Sequence, residues 1–418
     1  MVEALRSGAW VTRERMRLVA LAVLVASAAA IVYLLATSDG LNDFMGRPLG
    51  TDFANIYAAG TYVREGRPDA PFDIVLQGAR EQALFGAATP IYGWHYPPLF
   101  LFIAGALAAM PYPLALAVWQ ATTLALYLLA LRAILTGSSG TQERPIGHDR
   151  LWLLLAVAFP AVFVNLGHGH NGFLTAALFA GALTVLDRRP VLAGILFGCL
   201  AYKPQFGPMV PVILAATGRW RTVTAATITV AALTVATTIV FGIDAWRAFF
   251  ASLPFTRIVV LEQGDIGWHK IQSVFSWVRM WGGPIPLAYA LQGGVALALA
   301  AALVWLWRGP SAFAPKGAAL CLAAVLATPY SLDYDMVVLA PAIAFLAADG
   351  LARGFDAYEK SALAALWVVP MIARSAANAV LFPIGVIVML IVLALVLQRS
   401  ARERGTNAPW LSPRRALR

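Results

Sequence analysis

The sequence predicts an all-α polytopic membrane protein, and three observations predict it. The 418 residues are 60% hydrophobic and only 12% charged. A soluble domain carries roughly 25% charged residues and needs them to cover a water-facing surface. Apolar runs of about 20 residues recur along the chain, the length that crosses a hydrocarbon core about 30 Å thick. Between those runs lie short segments rich in arginine and lysine.

The net charge is +10. In a soluble protein that excess would raise nucleic acid as a partner. Here the basic residues sit in connections between apolar runs, the positive-inside pattern, so no nucleic acid is expected. The basic segments are 6–17, 132–150, 187–189, 219–221, 308–316, 353–360 and 399–418. Placing them all in the cytoplasm leaves 39–95, 167–171, 202–205, 242–283, 328–335 and 376–383 outside. This alternation gives about 12 transmembrane helices with both termini cytoplasmic. The run Arg13–Ala36 is longer than the roughly 7–15-residue apolar stretch of a signal peptide and reads as an uncleaved first span. The chain is expected to form one transmembrane domain over 1–398, followed by a basic cytoplasmic tail over 399–418. Cys199 and Cys321 both lie inside apolar runs and imply neither a disulfide nor a metal.

One segment strains the pattern. Residues 96–110 are apolar and end at Met110-Pro111-Tyr112-Pro113. If they crossed together with the full span 114–135, every later connection would change sides. A short re-entrant or interface-bound helix is therefore expected there.

The outer stretches are the unusual ones. The first long loop, 38–95, carries seven carboxylates against four arginines. Its alternation of apolar and polar positions over 52–63 and 74–85 suggests two juxtamembrane amphipathic helices. The second long loop, 242–283, holds Arg257, Glu262, Asp265, His269, Lys270 and Arg279 among many aromatic residues. Loops of this size are usually functional or disordered, and the aromatic content argues for order.

Ionisable groups near a span are costly and mark function by default. Five clusters qualify, all on the expected outer side. Asp52 opens Asp52-Phe-Ala-Asn-Ile-Tyr57-Ala-Ala-Gly60, as a helix N-cap or as a site residue. His95-Tyr96-Pro97-Pro98 rigidifies the return to the membrane. His168, His170 and Asn171 share a glycine-rich connection and suit ligand binding, a weak metal site, or a plain loop. Two histidines alone fall short of the three or four ligands zinc needs. Lys203, in Tyr202-Lys203-Pro204-Gln205, could snorkel to the interface or hold an anion. Asp335 ends Thr328-Pro-Tyr-Ser-Leu-Asp333-Tyr334-Asp335 and reads as a cap or as a functional carboxylate. No nucleotide-binding loop, nucleophile elbow or His-Glu-x-x-His pair appears in a suitable context.

In this order the clusters resemble glycosyltransferase family 87. The matching pieces are Asp52-Phe-x-x-x-Tyr57-x-x-Gly60, Tyr96-Pro97-Pro98, Gly167-His168-x-x-Asn171, Ala193-Gly194 leading to Lys203-Pro-Gln205 and Gly218-Arg219-Trp220, His269-x-x-Gln272-Ser273 and Thr328-Pro329-Tyr330-Ser331-x-x-Tyr334-Asp335. The resemblance implies a GT-C fold in the inner membrane of a bacterium. It implies a polyprenyl-phosphate sugar donor, often mannose and in some members arabinose. It implies inverting transfer outside the cytoplasmic membrane, with an Asp of the first outer loop as catalytic residue, the position of Asp52. The sequence departs from the family where a glycine-glutamine pair is usual and Gly167-His168 stands here. Some mannosyltransferases carry histidines where this chain has Asp333 and Asp335.

The chemistry makes sense of the residue types. Transfer from a lipid phosphate needs a base for the acceptor hydroxyl and cations for the departing phosphate. A partly desolvated Asp52 suits the base. Lys203, then Lys270, His168 and His170, suit the phosphate. Tyr57, Tyr96, Asn171, Gln205, His269, Gln272 and Asp335 are expected to bind sugar or acceptor, with Trp94 or Trp268 stacking on a ring. The expected partners are the polyprenyl-phosphate sugar donor, a glycolipid or glycan acceptor, and membrane lipids. No metal is assigned and no cofactor is certain, though a divalent cation stays open. The competing readings are a transporter or flippase for a lipid-linked saccharide, and an O-antigen polymerase- or ligase-like enzyme.

Overall fold

The computed structural model describes residues 1–137 and 149–406. Part of the 132–150 connection and most of the 399–418 tail therefore lie outside the described residues. The molecule is 78% helix, with no strand among the described residues. The helices in chain order are α1 Val2–Ser7, α2 Arg13–Ala36, α3 Thr51–Arg64, α4 Ile74–Phe85, α5 Leu101–Leu107, α6 Tyr112–Gly137, α7 Arg150–Val157, α8 Pro160–His168 and α9 Gly172–Val185. They continue as α10 Pro190–Cys199, α11 Met209–Ala216, α12 Trp220–Phe255, α13 Val274–Met280, α14 Ile285–Trp307, α15 Phe313–Leu326, α16 Leu339–Arg353, α17 Glu359–Val380 and α18 Ile384–Thr406. Among the described residues, seven helices are long and apolar enough to cross a membrane, or eight if α7 and α8, bent by 49°, count as one span. The bend falls at Pro160, whose ring cannot sit in a continuous helix.

A chain of contacts gathers the basic segments at one end of the bundle. Arg13 pairs with Asp149, and the Tyr358 amide donates to the Arg6 carbonyl. Arg402 pairs with Asp356, Arg404 donates to the Trp305 carbonyl, Arg308 to the Ala216 carbonyl, and Arg219 pairs with Asp187. The intervening stretches meet at the opposite end. There Thr51 reaches His168, His95 reaches Thr256, Lys203 reaches Asp335, and Trp281 donates to the Leu381 carbonyl. The two ends are called below the arginine-rich end and the Asp52 end.

Residues 96–110 leave and return at the Asp52 end. After Pro98–Phe100 and α5, the Tyr57 hydroxyl donates to the Met110 carbonyl at 2.9 Å, and the Tyr112 hydroxyl donates to the Leu49 carbonyl at 2.5 Å. The segment packs against α3. Gly60 permits that packing, since a Cβ there would collide with the Ala104 carbonyl. The long helix α12 is broken at Gly242, whose φ of 80° and ψ of 164° are not helical. That break separates the span from the second long loop, and glycine tolerates the positive φ.

The first long loop forms its two helices where the periodicity puts them. They differ in burial, however: α4 buries only Gln77, Gly78, Glu81 and Phe85. Phe53, Ala54, Asn55, Ile56, Ala58, Ala59, Gly60 and Tyr62 of α3 are all buried. The reason is α5 and the turn that follows it, which pack over α3.

Candidate active site

Asp52 is the second residue of α3. The helix is capped by Gly50 in a left-handed conformation, with no side-chain cap, so Asp52 does not serve as one. Its Oδ2 is buried and has no hydrogen-bond partner among the described residues. Burial pushes its carboxyl up to about 7. Asp333 and Asp335 add to the rise, while Lys203 and Lys270 oppose it. Asp43, the other acidic candidate of this loop, instead accepts the Met45 and Arg47 amides and pairs with the Arg47 guanidinium.

Lys203 stands in a break between helices, held by the turns Leu200–Tyr202 and Pro204–Phe206. Its side chain is 3% exposed and its Nζ lies 2.5 Å from Asp335 Oδ1. The same ammonium donates to Asn171 Oδ1 at 3.0 Å and meets His170 Nε2 at 3.4 Å. Burying a lysine without a partner would be prohibitive, and Asp335 supplies one. Asp335 also accepts the Leu332 amide at 3.0 Å, so its carboxylate both caps the Asp333–Val338 turn and neutralises Lys203.

The histidine connection is a second layer of this cluster. His170 stacks on Tyr334, ring centres 3.6 Å apart, and the Tyr96 hydroxyl lies 3.4 Å from its Nε2. His168 meets Thr51 Oγ1 at 2.7 Å, tying this connection to the start of α3. Trp119 holds the Gly169 carbonyl at 3.0 Å. Among the described residues, no three His, Cys, Asp or Glu side chains gather in a way that could hold a metal ion.

The second long loop is fastened to the Asp335 segment through its backbone. Ile271 and Leu332 form an isolated antiparallel bridge, and the Gln272 amide donates to the Ser331 carbonyl at 2.7 Å. Gln272 is fully buried, with both side-chain amide atoms lacking partners among the described residues. His269 and Lys270 lie in the turn Trp268–Lys270, where burial and the Arg374 charge hold both below their ordinary range.

Asp52, His168, His170, Asn171, Lys203, Lys270, Tyr96 and Asp335 thus converge on one site. Tyr57 lies nearby, but its hydroxyl is committed to Met110. Gln205 is half-buried in the turn beyond Lys203. The sequence reading missed Arg374 of α17, which lies 2.5 Å from Asp333 Oδ2. A lone arginine inside an apolar run was the signal that could have found it.

Further polar atoms of the site have no partner among the described residues: His170 Nδ1, Asn171 Nδ2 and Ser331 Oγ. Native proteins satisfy nearly all buried polar groups. A cluster of unsatisfied donors and acceptors around a carboxyl fits a polar ligand rich in hydroxyls. No curated protein and no solved structure matches the chain. The model of glycosyltransferase family 87 matches residues 94–329, more than half of the chain. With that match and a bundle of apolar helices, the chain belongs to glycosyltransferase family 87, a family of membrane glycosyltransferases.

Proposed function

We propose that the protein moves a sugar, mannose-like, from a polyprenyl-phosphate donor to the hydroxyl of a lipid- or glycan-linked acceptor. The transfer inverts the anomeric carbon and takes place on the outer face of the cytoplasmic membrane, with the arginine-rich end in the cytoplasm. The observation that carries this reading is Asp52 itself. It is a buried carboxyl with an open oxygen, no capping duty and an affinity for protons near neutrality.

In this reading the acceptor oxygen attacks the anomeric carbon while its proton passes to the Asp52 carboxylate. The bond from that carbon to the phosphate oxygen breaks, and its electron pair leaves with the phosphate. One carboxylate on the acceptor side suffices, because the phosphate departs without strong protonation. General base action of this kind contributes about 10²–10⁴-fold in rate. The half-buried Lys270 supplies positive potential, and such electrostatic stabilisation is usually the largest single contribution. Gln272 and Asn171, with open amide atoms, suit sugar hydroxyls. A site at one end of a helical bundle also lets the prenyl tail stay in lipid while the head group enters.

The test is radiolabel transfer from defined polyprenyl-phosphate sugars in membranes, wild type against Asp52→Ala. The variant is expected to fold, insert and transfer nothing. Full transfer by Asp52→Ala would remove the mechanism.

A further inference from the structure

Arg374 lies on α17, outside the matched residues 94–329. Its placement is fixed by backbone geometry. Ile271 and Leu332 are bridged, which sets Lys270, one residue before Ile271, beside Asp333, one residue after Leu332. Helix α17 packs against both the Trp268–Lys270 and the Asp333–Val338 turns. From there Arg374 Nε reaches Asp333 Oδ2 at 2.5 Å. Two cations therefore stand around one carboxylate. Asp333 is buried, and its other oxygen already accepts the Tyr334 amide at 3.0 Å.

The charge balance of the two lysines differs. Lys203 is 3% exposed and saturated by Asp335, Asn171 and His170. Lys270 makes no side-chain hydrogen bond or ion pair among the described residues, and burial together with the neighbouring Arg374 charge holds its ammonium below the ordinary range. The Arg374 side chain is 37% exposed, so solvent reaches it. Its contact with Asp333 uses Nε, which leaves the two terminal nitrogens of the fork to meet a second anion. An arginine fork is suited to oxygens of a phosphate.

We propose that Lys270 and Arg374 together seat the phosphate of the lipid-linked donor, and that Lys203 serves instead as a positioning residue that fixes Asp335 and Asn171. This rests on the transferase reading above. The donor phosphate is a diester with one negative charge, and breaking its bond to the sugar leaves a monoester with a second. A pair of cations, one of them unpaired, meets the charge as it develops. Asp333 holds Arg374 in place while the seat is empty.

The experiment measures binding of farnesyl phosphate to the full-length protein in nanodiscs, with inorganic phosphate as competitor. Lys270→Gln and Arg374→Gln are each expected to weaken farnesyl phosphate binding about tenfold or more and to raise the donor KM. Inorganic phosphate should compete in the wild type and lose that effect in Arg374→Gln. Arg374→Lys, which keeps the charge and loses the fork, should restore part of the affinity. Should Arg374→Gln unfold by stranding Asp333, the double variant Asp333→Asn/Arg374→Gln removes both charges and carries the same expectation. Wild-type affinity for farnesyl phosphate in Lys270→Gln and in the folded Arg374 variant would overturn the assignment. A wild type that binds no prenyl phosphate at all would overturn the donor reading beneath it.

Discussion

The two ends of the molecule handle charge in opposite ways. At the arginine-rich end the carboxylates are matched. Asp349 takes Arg353 and Arg399, Glu359 takes Arg399, and Asp356 takes Arg402. Several of these groups remain in contact with solvent, where an ion pair gains little. At the Asp52 end several ionisable and polar groups are buried, and some of their atoms are unsatisfied among the described residues. Asp52 has an open oxygen, and Gln272 has an open amide. The first arrangement fixes helix ends and lets the chain sit across a membrane. The second costs stability and is retained where a ligand completes it.

The comparison can be broken most sharply at Asp52. Asp52→Asn keeps the shape and removes the base, so transfer should fall about 10²–10⁴-fold with the melting temperature unchanged or raised. A large loss of folded protein instead would make Asp52 a structural residue like those at the opposite end.

Next in size is the buried pair. Lys203→Met leaves Asp335 without its cation, and breaking a buried pair from one side costs about 3–5 kcal/mol. Thermal unfolding in detergent reads this. The double variant Lys203→Met/Asp335→Leu should recover much of the loss in stability without recovering transfer.

The third test is pH. The Asp52 carboxyl is raised to about 7, and a base works only when ionised. The kcat/KM should therefore climb about tenfold per unit below pH 7 and level off above it. A profile flat from pH 5.5 to 8.5 would contradict an Asp52 base.

Glu81 offers a smaller effect. It is fully buried in α4, accepts the Tyr92 amide at 2.7 Å, and receives the Gln77 amide at 3.3 Å. Burial pushes it up to about 8 from 4.5, against those two hydrogen bonds. The folded state then holds its proton more tightly than the unfolded chain. Its contribution is fully present below about 4.5 and is lost as pH rises through 8. Glu81→Gln should flatten the fall in unfolding temperature over that window.

Smallest of all is Arg13→Gln at the arginine-rich end. Its pair with Asp149 is largely exposed, so unfolding should shift by less than about 1 kcal/mol. A larger loss would show that the arginine-rich end is more than a set of exposed pairs.

Much of this architecture was legible in the chain. Apolar runs had to become helices, because lipid offers no partner to an open backbone. The basic segments had to share an end, and the contacts from Arg6 to Arg404 place them there. The same parity required 96–110 to turn back, as Tyr112 and Met110 show. Asp52, Lys203, His170 and Asp335 stood out as costly groups beside apolar runs.

Other features depended on distance. Sequence periodicity could not tell that α3 would be covered on almost every side, because the cover is α5 and the turn after it, some fifty residues on. It could not separate Asp52 as a cap from Asp52 as an open carboxyl, since that is decided by Gly50 taking the cap. Nor could it join Lys203 to Asp335, 132 residues apart, or Asp333 to Arg374. Local order and burial follow from composition, which the hydrophobic effect reads residue by residue. Which charge meets which is set only when the helices pack.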